Sequence, residues 1–326
     1  LPFSPLQMTY SVSELGENQT ISDGFILVGF SYLNELQILL FLLLLVIYLV
    51  ALMGNLLIIL LIKLNPSLHT PMYFFLVNLS FLEICYTTNV TPQLLVHLLV
   101  DHHMPPFVGC MVQMLVFTTL GLTECCLLSA MAYDRYVAIC RPLHYTTIMS
   151  GQACALLAGV SWTIGLLAES AETMWFFSLP FCGSNRIPHF FCDIRPIEKM
   201  VCADTWMNEI LGLTVSVLFI MGPFVLILLS YILIISTIIK LPSAEGRRKA
   251  FSTCSSHLVV VTLFYGTCII TYMKPKSSYT PESDHWISLL YTVVTPMLNP
   301  LIYTLRNKEV HGAFRKTLEK TIFSHN

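Results

Sequence analysis

Leu39-Leu40-Phe41-Leu42-Leu43-Leu44-Leu45-Val46-Ile47-Tyr48-Leu49-Val50-Ala51 lies inside a charge-free interval from Glu35 to Lys63. A membrane-crossing helix needs roughly 20 apolar residues, because the hydrocarbon is about 30 Å thick and each residue rises about 1.5 Å. This interval is long enough. Further intervals of the same kind run through the chain. Lys63 to Asp101 contains one charge, Glu83, and Asp101 to Asp134 contains one, Glu124. Arg141 to Glu169, Glu209 to Lys240, Lys249 to Lys274 and Asp284 to Arg306 contain none. That makes seven spans. Of 326 residues, 55% are hydrophobic and 11% charged, with a mean hydropathy of +0.72. A soluble domain carries about 25% charged residues, so these side chains are too apolar for one water-surrounded core. Unpaired backbone is not tolerated in lipid, so each span is expected to be a helix. The expected fold is an all-α membrane protein, a seven-transmembrane helix bundle.

Orientation follows from Lys and Arg. With the N-terminus outside, the inner segments hold twelve of these residues and the outer segments five. The net charge of −2 says nothing about partners; membrane lipid is expected as one, and nucleic acid is not. Residues 1–35 read as a polar extracellular tail, 36–306 as the bundle, and 307–326 as a cytoplasmic amphipathic helix and tail. No cleaved signal peptide is expected, since the first 30 residues lack a basic flank before an apolar core. Asn18-Gln19-Thr20 is a glycosylation sequon, usable only outside. The sequons at Asn78 and Asn89 fall within the second span and are expected to stay unmodified. Val310, Phe314, Leu318 and Ile322 recur every fourth residue among basic neighbours, the pattern of a helix lying on the inner leaflet.

Seven of the eleven cysteines (Cys85, Cys125, Cys126, Cys140, Cys154, Cys254 and Cys268) lie in the spans or at their inner ends. Cys110, Cys182, Cys192 and Cys202 fall outside, where disulfides persist. Four cysteines allow three pairings, and spacing does not choose among them. His189-Phe190-Phe191-Cys192-Asp193 has the composition of a metal site. A disulfide-bonded cysteine cannot ligate, however, and His189 has no second partner at a defined spacing. His102-His103 reads as a solvated loop, and no metal site is expected.

The most specific signal is Met131-Ala132-Tyr133-Asp134-Arg135-Tyr136-Val137-Ala138-Ile139-Cys140, at the inner end of the third span. Asp134 beside Arg135 can hold the guanidinium in an ion pair, and its release frees a long cationic arm for a partner entering from the cytoplasm. Other strings follow in order. Gly54-Asn55 lies in span one, and Leu68-His69-Thr70-Pro71-Met72-Tyr73-Phe74-Phe75-Leu76 opens span two. Ser230-Tyr231 lies in span five, and Lys249-Ala250-Phe251-Ser252-Thr253-Cys254-Ser255-Ser256-His257-Leu258 opens span six. Pro296-Met297-Leu298-Asn299-Pro300-Leu301-Ile302-Tyr303 closes span seven. Together with the outer loop bearing cysteines at intervals of ten, these strings resemble the olfactory receptor family of rhodopsin-like G-protein-coupled receptors over roughly residues 23–317.

That resemblance implies function. The ligand would be a small volatile odorant. The partner would be a heterotrimeric G protein of the stimulatory, olfactory class, raising cAMP. The site would be the plasma membrane, in the cilia of olfactory neurons. It pairs Cys110 with Cys192 and Cys182 with Cys202. It assigns coupling to Asp134, Arg135, Tyr136, Tyr231 and Lys249, with Asn299-Pro300 and Tyr303 as hinge and latch. Tyr231 is expected to meet Tyr303 or Arg135 in the active state. Proline removes a helix bond, so Pro223 and Pro300 are expected to bend their helices. Family placement puts Glu83 and Glu124 near Asn299. Two close carboxylates cannot both ionise cheaply, so they would share a proton or hold Na⁺; no other cofactor is expected. The implied pocket holds Phe117, Thr118, Gly121, Leu122 and Cys125 of span three. It adds Val215, Ser216, Phe219, Tyr265, Cys268, Ile269, Tyr272 and Thr292 from spans five to seven. These are apolar or weakly polar, which suits a small apolar ligand held by one or two hydrogen bonds. An aspartate where Phe117 stands would suit a cationic amine, and it is missing.

Competing classes lack their signatures. No lysine lies between His285 and Leu305 for a retinal Schiff base. The intramembrane His and Glu residues are scattered, which argues against a metalloenzyme, and no enzyme activity is expected. Internal repeats of the transporter kind are absent. The alternative that remains is a rhodopsin-like receptor for another small hydrophobic ligand outside the olfactory system.

Overall fold

The structure, a computed structural model, describes residues 24–100, 105–182, 184–204, 206–240, 242–272, 281–306, 310, 312–315 and 317. Asn18 lies outside the described residues.

Among the described residues seven long helices follow one another. These are α1 (Gln37–Leu64), α2 (Pro71–Leu99), α3 (Phe107–Cys140), α4 (Gly151–Phe177), α5 (Trp206–Ile239), α6 (Ala244–Tyr272) and α7, built from Pro281–Leu289, Leu290–Val294 and Thr295–Arg306. All but α2 contain a stretch that is long and apolar enough, by length and composition, to cross a membrane. The exception has a physical reason. Helix α2 spends its polar residues inward, with Ser80, Glu83, Thr87 and Thr91 all buried. The outward faces of α1 and α5 are instead leucine, isoleucine and valine left exposed, the inverse of a soluble protein and the surface lipid requires.

Helix α3 runs through the middle, against α2, α4, α5 and α6. Small residues set the close approaches. A Cβ at Gly165 of α4 would sit 2.8 Å from the carbonyl oxygen of Thr119 on α3, so only glycine allows that contact. Gly54 of α1 similarly receives the ring of Pro300 on α7, at 3.0 Å from where a Cβ would stand. Its neighbour Asn55 donates to the carbonyls of Ala51, at 2.9 Å, and Pro296, at 3.2 Å.

Helices α5 and α7 each contain one π-helical stretch, Val217–Met221 and Leu290–Val294. Each precedes a proline, Pro223 and Pro296, whose missing N–H leaves a carbonyl four residues back without its helical donor. For these prolines that carbonyl belongs to Phe219 and Thr292, each inside the wider turn. The distortion expected at Pro223 therefore takes the form of a π-turn. In α7 the wide turn is associated with Pro296, one turn before the expected Pro300.

Two expectations need correction. Residues 24–30 are not part of a polar tail. Ile26–Leu27 (β1) pairs in parallel with Arg186–Ile187 (β2) of the long loop, and Phe25, Leu27 and Phe30 are buried. Four apolar residues in a row, Phe25 to Val28, were too short to register beside spans of 20. The long loop, expected over 172–207, begins later: the fourth helix runs past the charge-free interval to Phe177, with Glu169 and Glu172 inside it. At the far end, Val310 and Ala313 are buried and Phe314 packs against the bundle core. Asn65 donates to Thr317 at 3.3 Å, so this segment docks under α1; Leu318 and Ile322 lie outside the described residues.

Candidate ligand cavity and switch

One end of the bundle carries both disulfides. Cys110 at the start of α3 is bonded to Cys192, with Cα atoms 5.4 Å apart. Cys182 is bonded to Cys202, at 5.8 Å. Beneath the first bridge Gln113 joins three elements. Its Oε1 accepts from the Cys192 amide at 3.0 Å, while its side-chain amide donates to the Asn89 carbonyl at 3.0 Å. Asn89 returns a bond to the Gln113 carbonyl. The Asn89 amide is thus committed to the knot between α2 and α3. Over this knot the N-terminal segment and the loop close as a cap. The amide of Val28 donates to Ile187 and that of Gly29 to His189, at 3.0 and 3.2 Å. Gly29 has φ of +48° and sits against the His97 ring, a position where a side chain would be strained and obstructed.

The cap is aromatic. Phe30 stacks on Phe190 at 5.5 Å between centroids, and His189 on Phe190 at 4.6 Å. His189 is buried, which pulls its imidazole well below the ordinary 6.5, and nearby His285 pulls it further. Its Nε2 meets the Ser288 hydroxyl at 3.2 Å. Asp193 goes the other way, pushed up to about 6 by burial although the Ile194 amide donates to it.

Below the cap lie the residues expected to line a pocket. Phe117 contacts Tyr86 and Phe191, each at 4.9 Å, and Tyr291 at 6.0 Å. Leu122, Cys125, Tyr265 and Thr292 are buried. The hydroxyl of Tyr265 donates to the Cys125 carbonyl at 3.3 Å, and that of Thr292 to Ser288 at 2.7 Å. Those two hydroxyls are therefore committed within the bundle. Thr118, Gly121, Val215, Ser216, Phe219, Cys268 and Ile269 are only half-buried, and a Cβ at Gly121 would meet nothing within 4 Å. The Tyr272 side chain lies outside what the structure describes.

Mid-bundle, the structure brings Glu83, Glu124 and Asn299 together. Asn299 donates to Glu83 Oε1. Glu83 Oε2, Glu124 Oε1 and Asn299 Oδ1 are buried without a hydrogen-bond partner, as is the Tyr303 hydroxyl. Three orphaned oxygens fit either a small hard cation, which prefers oxygen ligands, or a shared proton. Among the described residues no group of three or more His, Cys, Asp or Glu is placed to hold a metal.

At the other end Asp134 and Arg135 differ from the expected ion pair. The Tyr145 hydroxyl donates to Asp134 at 2.8 Å, and Arg135 turns to the sulfur of Met72. Adjacent helical residues point about 100° apart, so direct neighbours face different partners. Tyr136, on the next face, is half-buried and stacks on Tyr133. Tyr231 donates to His257 Nδ1 at 2.8 Å. His257 Nε2 lies 3.1 Å from the Leu128 carbonyl, which can only accept, so Nε2 carries the proton and the imidazole joins α5, α6 and α3. The sequence reading gave His257 no role; its place in the span-six string was the available signal. The Lys249 side chain lies outside what the structure describes. Beside this end an open depression of about 430 Å³ is lined by Cys140, Arg141, Pro142, Leu143, His144 and Ile148.

A seven-helix bundle of apolar surface, capped at one end, has the architecture of the G-protein-coupled receptor class. The olfactory receptor family profile matches residues 44–321. The chain is 55% identical to human olfactory receptor 10A4 over 309 residues, covering 94% of this chain and 98% of that one. It is 52% identical to human olfactory receptor 10A7 over 306 residues, 94% and 97% of the two chains. It is 50% identical to the dog olfactory receptor-like protein OLF3 over 301 residues, 92% and 95%. The chain belongs to the olfactory receptor family. It is a multi-pass plasma-membrane receptor for odorants that couples to a G protein, and it is not an enzyme.

Proposed function

We propose that this receptor binds a small, mostly apolar odorant beneath the cap and activates a stimulatory G protein of the olfactory class, raising cAMP in the cilia of olfactory neurons. The cap end faces outward and carries any glycan at Asn18; the Arg135 end faces the cytoplasm. The observation that carries this reading is the half-buried face around Gly121, with open space beside it, between the cap above and the His257 junction below. A ligand filling that space presses on Tyr265 and Cys268 of α6, the helix that also bears His257. Movement of α6 strains the bond from Tyr231 to His257 and the bond from His257 to Leu128. Their rupture frees Tyr231 and lets Arg135 leave Met72 for the G protein, beside Tyr136 and Lys249. Asn299-Pro300 and the unpartnered Tyr303 hydroxyl allow α7 to follow. Glu83, Glu124 and Asn299 hold a shared proton or Na⁺ that ties α2, α3 and α7 in the resting state.

The test is ligand-evoked cAMP in cells expressing the full chain, screened against odorants, with Arg135→Ala as control. The odorant response is expected to rise with the stimulatory G protein and vanish in Arg135→Ala at unchanged surface density. Normal signalling by that variant would overturn the switch. A response through another G protein without cAMP would overturn the coupling class.

A further inference from the structure

Helix α5 is packed along only half of its length. In Gly222–Ile239 the residues Ile227, Tyr231, Ile234 and Ile238 are buried, whereas from Trp206 to Met221 none is. No apolar side chain from Trp206 to Phe219 packs on either hydrophobic core. The seam with α6 shows where packing stops. Going outward, Tyr231 meets His257, and then the Phe224 ring meets that of Tyr265 at 5.0 Å. One turn beyond Tyr265 on the same face is Ile269, and two turns beyond Phe224, through the π-turn, is Ser216. Both are only half-buried, and Ile269 packs on neither core. The outer half of α5 leans instead on α4. There Trp175 Nε1 donates to Asn208 at 2.7 Å, and a Cβ at Gly212 would stand 3.3 Å from the Glu172 carboxyl. The cap shuts the top, where Phe25, Leu27, Phe190 and Phe191 are each at most 1% exposed. Tyr265 bonds the Cys125 carbonyl of α3, and Gly121 lies one turn outward of Cys125, at the level where the seam loosens. The space beside Gly121 is thus closed above and toward α4, and loosely bounded along the outer seam of α5 and α6. That seam faces lipid, with Leu213, Val217 and Ile270 exposed on its outer side.

We infer that the ligand cavity opens sideways into the outer leaflet between α5 and α6, and that it takes single-chain amphiphiles whose tail leaves through this seam into lipid. The inference rests on the ligand site proposed above. Apolar walls are not left apart and empty, because dispersion contacts favour filling the gap. In a membrane the filler is an acyl chain. A ligand tail that takes its place keeps apolar surroundings along its whole length, however long it is. An enclosed cavity behaves differently, because each methylene beyond its length meets a wall.

The experiment uses the purified full chain in lipid nanodiscs, with straight-chain primary alcohols from hexanol to hexadecanol as probes. It reads the free aqueous concentration giving a half-maximal rise in Tm, a measure independent of G-protein coupling. Each added methylene is expected to lower that concentration about fourfold, with no break along the series. Leu213, exposed three residues from Ser216, and Gly266, three residues from Ile269 with nothing within 4 Å of a Cβ, form the lips of the seam. Gly266→Trp is expected to narrow it and impose a break, weakening hexadecanol at least roughly tenfold more than hexanol. Leu213→Trp narrows it from the side of α5 and is expected to do the same, so the test stands if the first variant does not fold. Ile26→Cys with Arg186→Cys, at partnered positions of β1 and β2, ties the cap shut once oxidised. Oxidation is expected to leave the whole series unaltered. The inference is overturned by a break in the wild-type series, by a response to no alcohol, or by an unbroken series in the folded tryptophan variants. Loss of the long alcohols on oxidation of the cap overturns it too. Gly121→Leu separates the two readings, since it fills the space and is expected to remove every response. If it changes none, the ligand site itself is misplaced; if it removes all while the wild-type series breaks, only the side opening fails.

Discussion

The two ends of the bundle are built on opposite plans. At the cap end two disulfides, a short parallel strand pair, the Gln113 knot and a run of stacked rings fix one shape. At the Arg135 end the helices are joined by single, exchangeable bonds such as those of Tyr145 and His257, and Arg135 rests on a thioether, a weak acceptor. Where many weak interactions converge the structure resists change; where one bond joins two helices, breaking it is enough to move them. The difference teaches where each task resides. Recognition needs a fixed wall, and transmission needs a joint.

The first way to break that contrast is to cut the fixed end. Cys110→Ser and Cys192→Ser each remove the same bridge, at a cost of about 2–5 kcal/mol. Both are expected to abolish delivery to the cell surface to the same degree, read by surface antibody labelling. Unequal losses would refute the pairing. Next in size is Gly165→Leu, which drives a side chain into the Thr119 backbone of α3 and costs about 1–3 kcal/mol. The Tm of the purified receptor should fall, and an unchanged Tm would mean that α3 and α4 are not pressed together there. Smaller, and at the mobile end, is Tyr231→Phe. It removes one hydrogen bond worth about 1 kcal/mol while sparing the packing, so basal cAMP should rise about fivefold at equal surface density. A fall in basal activity would show that this bond belongs to the active state.

The smallest effect is a pH dependence of the cap. His189 is neutral in the closed cap and protonates in the open one below about 6.5, so acid favours opening. Asp193 is protonated in the closed cap below about 6 and ionised in the open one down to its usual range, so acid there favours closing. The two shifts oppose one another, so the net loss on acidification from neutral pH is small. Hydrogen exchange at the Ile26 and Val28 amides, corrected for intrinsic rate, should quicken only slightly between about pH 7 and 5. Asp193→Asn should let the loss continue to lower pH, and His189→Phe should remove it.

The contrast between the ends also marks what could be read from sequence. Long outward-facing apolar stretches are visible because lipid demands them along a whole helix, and the seven spans followed from that alone. Glu83 and Glu124 stood out because a charge in an apolar run is conspicuous. Glu169 did not, because it closes a charge-free interval, where a charge looks like a boundary. The cap was illegible since Phe25 and Leu27 are buried by a loop more than 150 residues distant, and a two-residue strand has no period to detect. The bonds from Tyr231 to His257 and from Tyr145 to Asp134 were not foreseen, for another reason. Which of several polar groups meets a hydroxyl depends on rotation of one helix against another, and composition carries no record of it.

The π-turn at Val217–Met221 has a consequence for how this chain tolerates changes in length. A π-turn is an α-helix holding one residue more than its neighbours require. Deleting one residue there, such as Leu218, returns the helix to regular winding with the faces of both halves preserved. The same deletion a few turns later, within Gly222–Ile239, turns everything beyond it by about 100° and carries Tyr231 away from His257. Helix α5 thus has one place where its length is adjustable and a longer stretch where it is not.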